Sequence, residues 1–235
     1  MPYATQNDWN AARDQAVWSR HGIASLALTQ WLDDEFRTAP GLPGRWRTDG
    51  TSAIGDLDGR DIRLAVGEEA ASGDLLLRGM RRGDAVAVRV LDPAASARRG
   101  VSSIVRAPHD PEARVTGHFE AAAHSATSTA VDGHHDVAEF VGVVSFRFGD
   151  VDLSLDVQST ERGLFAAFSD ATSGTDSYRF RFLQLDAPAE DGTVTVDLNR
   201  AFLPPCAFSD HYLCVFPPAG NRWNTPVRVG ELLAV

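Results

Sequence analysis

The 235-residue chain contains no lysine, and its 22 basic residues are all arginine. That absence excludes a Schiff-base lysine, a pyridoxal-phosphate enzyme and a P-loop nucleotidase, each of which needs an ε-ammonium group. Arginine does not substitute as a nucleophile, because its guanidinium stays protonated. Basic charge is scarce as well: against 32 acidic residues the formal net charge is −10. Broad nucleic-acid binding, which needs a basic surface to displace counterions, is therefore not expected. No apolar run approaches the ~20 residues that span a bilayer, and residues 1–18 lack the basic start and apolar stretch of a signal peptide. A cytoplasmic protein with neither nucleic acid nor membrane as partner is the expectation. Cysteine is limited to Cys206 and Cys214, close in sequence, which does not read as a disulfide scaffold. Neither a Gly-x-Ser-x-Gly nucleophile elbow nor a Gly-x-Gly-x-x-Gly fingerprint occurs, and no cofactor is implied.

What is present is ordinary globular composition, 43% hydrophobic and 23% charged, in a chain long enough to bury a sizeable core as one domain. Residues 5–20 read as a helix: Asn7 or Asp8 is placed to cap it, Trp9, Ala12 and Ala16, with Val17 as a further candidate, fall near one face, and Gly22 stops it. Residues 23–32 fit either a strand or a short helix. From Gly41 onward the period becomes two, with strands expected at 45–48, 61–66, 74–78, 84–91, 114–120, 137–148, 151–157, 164–168, 177–184 and 193–198. Asp58-Gly59 is the clearest hairpin turn, because both residue types tolerate positive φ. The absence of alternating strands and long helices argues against a Rossmann or TIM-barrel plan. The expected fold is mainly β, an antiparallel barrel or sandwich with an N-terminal helix, in a single domain over 1–235 that allows a helix-plus-β subdomain over 1–80 and a β core over 81–235. Residues 121–136, small and polar, read as an exposed loop or a boundary.

Each candidate constellation has a plain structural alternative. His124, His134 and His135 with Asp132 and Asp136 have metal-ligand chemistry, but a rigid site needs ligands on ordered elements, and a solvated loop is favoured. Cys206, His211 and Cys214 supply only part of a zinc set; packing ranks first for the cysteines, a close disulfide second and metal third. The run 56–61 resembles a calcium loop, but its Gly is fourth where the sixth position is required.

The densest set of special residues lies between Phe168 and Arg222. Asp170 and Thr172 suit a turn that caps backbone amides. Tyr178 and Arg181 follow, and Asn-Arg pairs stand at 199–200 and 221–222. The functional reading is a pocket in which Arg181, Arg200 or Arg222 grips an anion while Asp170, Thr172, Tyr178, Asn199 and Asn221 orient it. The alternative is that these residues tie a Pro-rich crossing to the end of the fold.

At these residues the chain resembles a known family. Asp-Ala-Thr-Ser-Gly (170–174), Tyr178, Arg181-Phe182-Leu183, Asp197-Leu198-Asn199-Arg200-Ala201, Pro204-Pro205-Cys206-Ala207-Phe208, Cys214, Asn221-Arg222 and Gly230-Glu231 look like the bacterial and archaeal domain-of-unknown-function family 1684. Arg82-Gly83-Asp84, Val88-Arg89, Asp92-Pro93 and Arg114-Val115 also fit, so the resemblance covers about 78–231. The chain departs from it at Phe202-Leu203, where the family carries Tyr-Asn, and at His211, where it usually lacks histidine. The resemblance implies a soluble, mostly prokaryotic domain and brings no activity, cofactor or catalytic residue.

Three functions are consistent with the sequence. The first is binding of a small anionic or polar ligand in an Arg-lined pocket. The second is a hydrolase-like enzyme using Asp170 with His211 or Tyr178. The third is an interaction module docking through the Pro-aromatic segment 202–218, which would need an exposed apolar patch there.

Overall fold

The computed structural model describes residues 5–235 and bears out a mainly β, antiparallel fold with a helix near the start. Helix α1 (Gln6–Trp18) falls within the expected 5–20. Thr5, not Asn7 or Asp8, caps it: Thr5 Oγ1 accepts from the Asp8 amide at 3.1 Å while Asp8 Oδ2 accepts from the Thr5 amide at 3.0 Å. This reciprocal exchange is a capping box, with Asp in the place more often held by Glu. The ambiguous run after Gly22 is a short 3-10 turn over Ile23–Ser25 followed by a strand.

The chain forms two compact units. One comprises Ala12–Val101 together with Phe208–Tyr212. Its strands are β1 (Leu26–Trp31), β2 (Arg37–Ala39), β3 (Leu42–Thr48), β4 (Ala53–Leu57), β5 (Arg60–Leu64), β6 (Glu69–Ser72), β7 (Leu75–Arg82) and β8 (Ala85–Leu91). They make two antiparallel sheets in the orders β1-β8-β7-β6 and β2-β3-β4-β5. Trp46, Leu57, Leu77 and Val88 centre its core. The β4–β5 hairpin turns on Asp58 (φ 54°) and Gly59 (φ 78°), the paired positive angles of a type I′ turn. Residues 208–212 are fastened into this unit by Ser209 Oγ donating to Leu26 O (2.8 Å) and Tyr212 OH donating to Ile23 O (2.9 Å).

The other unit comprises Ser102–Ala207 and Leu213–Val235 together with residues 5–11. A short helix α2 (Ala95–Arg98) precedes it, and its strands are β9 (Ile104–Arg106), β10 (Arg114–Thr129), β11 (His135–Phe148), β12 (Val151–Thr160), β13 (Gly163–Phe168), β14 (Arg181–Leu185), β15 (Thr193–Asp197) and β16 (Glu231–Ala234). Six of them form a curved half-barrel sheet in the order β14-β13-β12-β11-β10-β15. Period-two alternation puts Val144, Phe146, Leu155, Val157, Leu164, Phe168, Leu183 and Val196 into one apolar core. Phe165, Ala167 and Phe182, by the same alternation, fall on the opposite face of β13 and β14, where Phe165 pairs with Gln184 and Ala167 with Phe182.

The largest departure from the sequence expectation is at 121–136. This stretch is no loop up to Thr129; β10 continues through it, and the β10–β11 hairpin turns only around Gly133. Small polar residues hide a strand when its partner supplies the apolar contact, as Phe140 does opposite His124. A bulge falls between Ala121 and His124. Bulges increase local twist, and this one redirects the outer half of the hairpin. Gly142 lies opposite it because nothing larger fits: a Cβ there would sit 2.2 Å from Glu120 O and 2.6 Å from the Phe119 ring. Among the described residues no helix is long and apolar enough to cross a membrane. Gly142→Ala is expected to cost about 1–3 kcal/mol by overpacking, measured as a lower urea midpoint with an unchanged slope.

Candidate functional site

The candidate residues named from sequence separate into three groups. Asp170, Thr172 and Arg181 come together in a buried cluster. Arg181, fully buried in β14, donates from Nη2 to Asp170 Oδ2 (2.6 Å) and Val227 O (2.7 Å), and from Nη1 to Val229 O (2.6 Å). Asp170 Oδ1 accepts from the Thr172 amide (2.8 Å), the Thr172 hydroxyl (2.7 Å) and the Val227 amide (3.2 Å). Burial on its own would raise the Asp170 carboxyl, but the Arg181 charge and the Thr172 bonds outweigh it and hold the group below its usual range. Burial pulls the Arg181 guanidinium down and Asp170 opposes it; the ordinary value of arginine is so high that the group stays charged at neutral pH. The pair thus clamps residues 227–231 onto β13 and β14 with every carboxylate contact supplied by the protein.

The two asparagines do the work of missing strand neighbours. Asn199 accepts from the Asp110 amide (2.9 Å) and donates to the Asp110 carbonyl (2.8 Å). Asn221 makes the same exchange with Asp156, at 2.7 and 2.9 Å, and adds a bond to Ala167 O (2.9 Å). Each amide pairs with both backbone groups of one residue, as a second strand would. Arg200, buried beside Asp197 (3.5 Å), packs its guanidinium over the Trp9 ring. Tyr178 donates to Cys206 O (2.8 Å) and accepts from Arg179 (3.0 Å), and burial pushes its phenol well above the ordinary range.

Two of the eight line cavities: Asn199 lines a small one of about 200 Å³ with Arg106, His109 and Glu231, and Arg222 lines a larger one. The larger cavity, of about 800 Å³, is bounded by the outer halves of β10 and β11, the outward face of β13 and β14, and the segment 215–222. Its apolar wall is Phe140, Phe165, Phe182 and Phe216 with Ala166 and Ala167; Phe165 and Phe182 meet edge to face at 4.9 Å. Thr127, Ser128, Thr129, Ser169 and Gln158 add polar residues to the lining, with the Ser128 hydroxyl donating to Asp136 O (3.1 Å) and the Gln158 amide to Glu139 O (3.2 Å). Among the described residues no acidic side chain lines it, and its two ionisable groups are Arg179 and Arg222. Asp156 touches the same segment at Gly220 and stands 3.6 Å from His124, but does not line the cavity.

The segment 215–222 is held in place by backbone pairing. Phe216 N–H donates to Thr129 O (2.9 Å), Ser169 N–H donates to Asn221 O (2.9 Å) and Trp223 N–H donates to Ser169 O (2.8 Å). Arg222 Nε and Nη2 both donate to Pro217 O, at 3.1 and 2.9 Å. Its Nη1 donates to no group among the described residues, and no carboxylate pairs with it there. Arg179 lies over the Phe216 ring at 5.5 Å. Sequence reasoning missed Arg179 and the phenylalanines; the one local signal was the alternating run Tyr178-Arg179-Phe180-Arg181-Phe182.

The alternatives have less to stand on. Among the described residues no group of three or more His, Cys, Asp and Glu is placed to hold a metal. Cys206 and Cys214 are both thiols; a hydrogen bond from Cys214 outweighs burial and, with Tyr178 and Arg179, holds the Cys206 thiol below its ordinary range. His211 belongs to the first unit described above and Cys206 to the second. Burial, then the Arg99 charge, lowers the His211 imidazole. Of the segment proposed for docking, Phe208 is buried, Phe202 is half-buried against Trp9 and Phe182, and Phe216 is half-buried against Phe180.

A family model described as "Protein of unknown function (DUF1684)" matches residues 100–232, a span that starts downstream of the Arg82–Pro93 correspondences suggested by sequence. A protein of Haloarcula marismortui, described as uncharacterized and solved by solution NMR, is similar at 29% identity, covering 57% of this chain and 78% of that one, with a TM-score of 0.46. No curated protein matches.

Because its carboxyl is depressed in the folded state, Asp170 contributes stability that is present at neutral pH and is lost as pH falls below the ~3.9 of an unfolded aspartate. Asp170→Asn should cost about 3–5 kcal/mol at pH 7 by stranding a buried guanidinium. Urea unfolding at several pH values should show the gap to wild type narrowing as pH falls from about 4.

Proposed function

Since the chain belongs to the DUF1684 family, whose description names no activity, we propose from its own cavity that it is a binding protein for a small anionic ligand, held at Arg222 with Arg179 beside it. One observation carries this reading. In a chain of net charge −10, the cavity excludes every carboxylate of the described residues and presents two guanidinium groups. A random draw of side chains from so acidic a sequence would favour the opposite sign. A cavity of about 800 Å³ is within the ~300–1,000 Å³ usual for small-molecule sites. Arg222 has an unused Nη1, and its Pro217 bonds fix the guanidinium before a ligand arrives, which lowers the ordering cost of binding.

The hydrolase reading draws no support from Asp170, whose oxygens are occupied by Thr172, Arg181 and Val227 in a buried setting. A general acid or base needs a lone pair or proton within reach of substrate.

The test is a thermal-shift and calorimetric screen of small carboxylates and phosphates against wild type and Arg222→Gln. At least one anion should raise the wild-type Tm. Losing a charge-assisted hydrogen bond worth about 1.5–3 kcal/mol should weaken that anion about ten- to hundredfold in the variant. Arg222→Gln should leave the unliganded Tm within about 2 °C, because the side chain is exposed. If no anion binds wild type, the proposal fails.

A further inference from the structure

Resting on that reading, we infer that the anion is the head of an amphipathic monocarboxylate with an apolar body, of the medium-chain fatty acid type. The positive charge is gathered on one wall. Arg179 lies over Phe216, and Arg222 is bonded to the carbonyl of the next residue, Pro217. The remaining bulk of the lining is apolar: Phe140, Phe165 and Phe182 with Ala166 and Ala167. Phe165 and Phe182 are only half-buried, so their outward faces keep apolar surface open to the cavity.

Charge and size together select the class. A compact polyanion such as phosphate or citrate would meet the arginines but leave the phenylalanine floor wet. It would also lose part of its hydration to aromatic surface that accepts no hydrogen bond. A carboxylate with an alkyl body instead matches one planar acceptor to the Arg222 guanidinium and removes its methylenes from water against the rings. Each buried methylene favours binding by a factor of about four. A cationic head on the same tail meets two like charges and no acceptor carboxylate. Thr127, on the same lining, has a hydroxyl suited to donate to the second carboxylate oxygen.

The experiment is isothermal titration of the wild-type chain with decanoate, kept below its micelle concentration, alongside decyltrimethylammonium, hexanoate, citrate and inorganic phosphate. Decanoate should bind most tightly, hexanoate at least tenfold more weakly, and citrate and phosphate more weakly still. Decyltrimethylammonium should fail to displace decanoate. Arg222→Gln should weaken decanoate at least tenfold. Ala167→Leu, which fills space on the cavity face, should weaken it too while leaving the circular-dichroism spectrum and cooperative unfolding intact. Binding of citrate or phosphate without decanoate overturns the amphipathic inference and leaves the anion reading standing. Equal binding of decanoate and decyltrimethylammonium overturns both, as does no binding of any anion.

Discussion

The bond between Asp170 and Arg181 is the constraint on which the family-matching unit turns. A guanidinium with no solvent exposure needs its charge answered, and here one carboxylate and the carbonyls of Val227 and Val229 take both terminal nitrogens within 2.7 Å, while Nε has no partner among the described residues. The consequence reaches beyond the pair. Strand β14 presents Arg181 to the core side, so its neighbour Phe182 must face the other way. That is where the cavity is. The ends of β13 and β14 are thereby fixed together with the final segment of the chain.

A second constraint acts on the cavity's cover. The segment 215–222 contains two prolines in sequence and offers few amides for a regular ladder. Asn221 replaces the ladder with a side-chain amide that pairs with Asp156, while Ser169 takes the flanking backbone. Arginine therefore serves two purposes in the same unit. Arg181 and Arg200 are buried and bonded to the fold, whereas Arg222 is exposed, set on Pro217 and without a carboxylate partner among the described residues. With no lysine in the chain, a side chain in a binding site that is cationic at every physiological pH has to be arginine, and burial with bonding pattern distinguishes the structural ones.

Local sequence carried the elements whose cause is local. The extent of helix α1 was legible from Gly22, and the β4–β5 turn from Asp58-Gly59, since both follow from backbone preferences of a few residues; the helix face was not, for Arg13 and Val17 are buried while Ala16 is exposed. The cap was misplaced by two or three residues because Thr5 acts only through its exchange with Asp8. Residues 121–129 were hidden because alanine, serine and threonine carry little strand signal until β11 pairs with them. The cluster between 170 and 222 was correctly seen as dense in polar residues, but sequence spacing does not tell a clamp from a lining. That distinction depends on which carbonyls converge on Arg181, and these come from 46 to 50 residues downstream. The phenylalanine floor was equally out of reach, assembled from β11, β13, β14 and the cover segment.

A structure of the protein crystallised with decanoate addresses the central claim, that buried arginines hold the fold while rim arginines receive an anion. The carboxylate is expected within hydrogen-bonding distance of Arg222 Nη1, with the alkyl chain against Phe165 and Phe182 and the Asp170–Arg181 pair unchanged. Decanoate seated elsewhere on the molecule, or an anion bonded to Arg181 in place of Asp170, would contradict it.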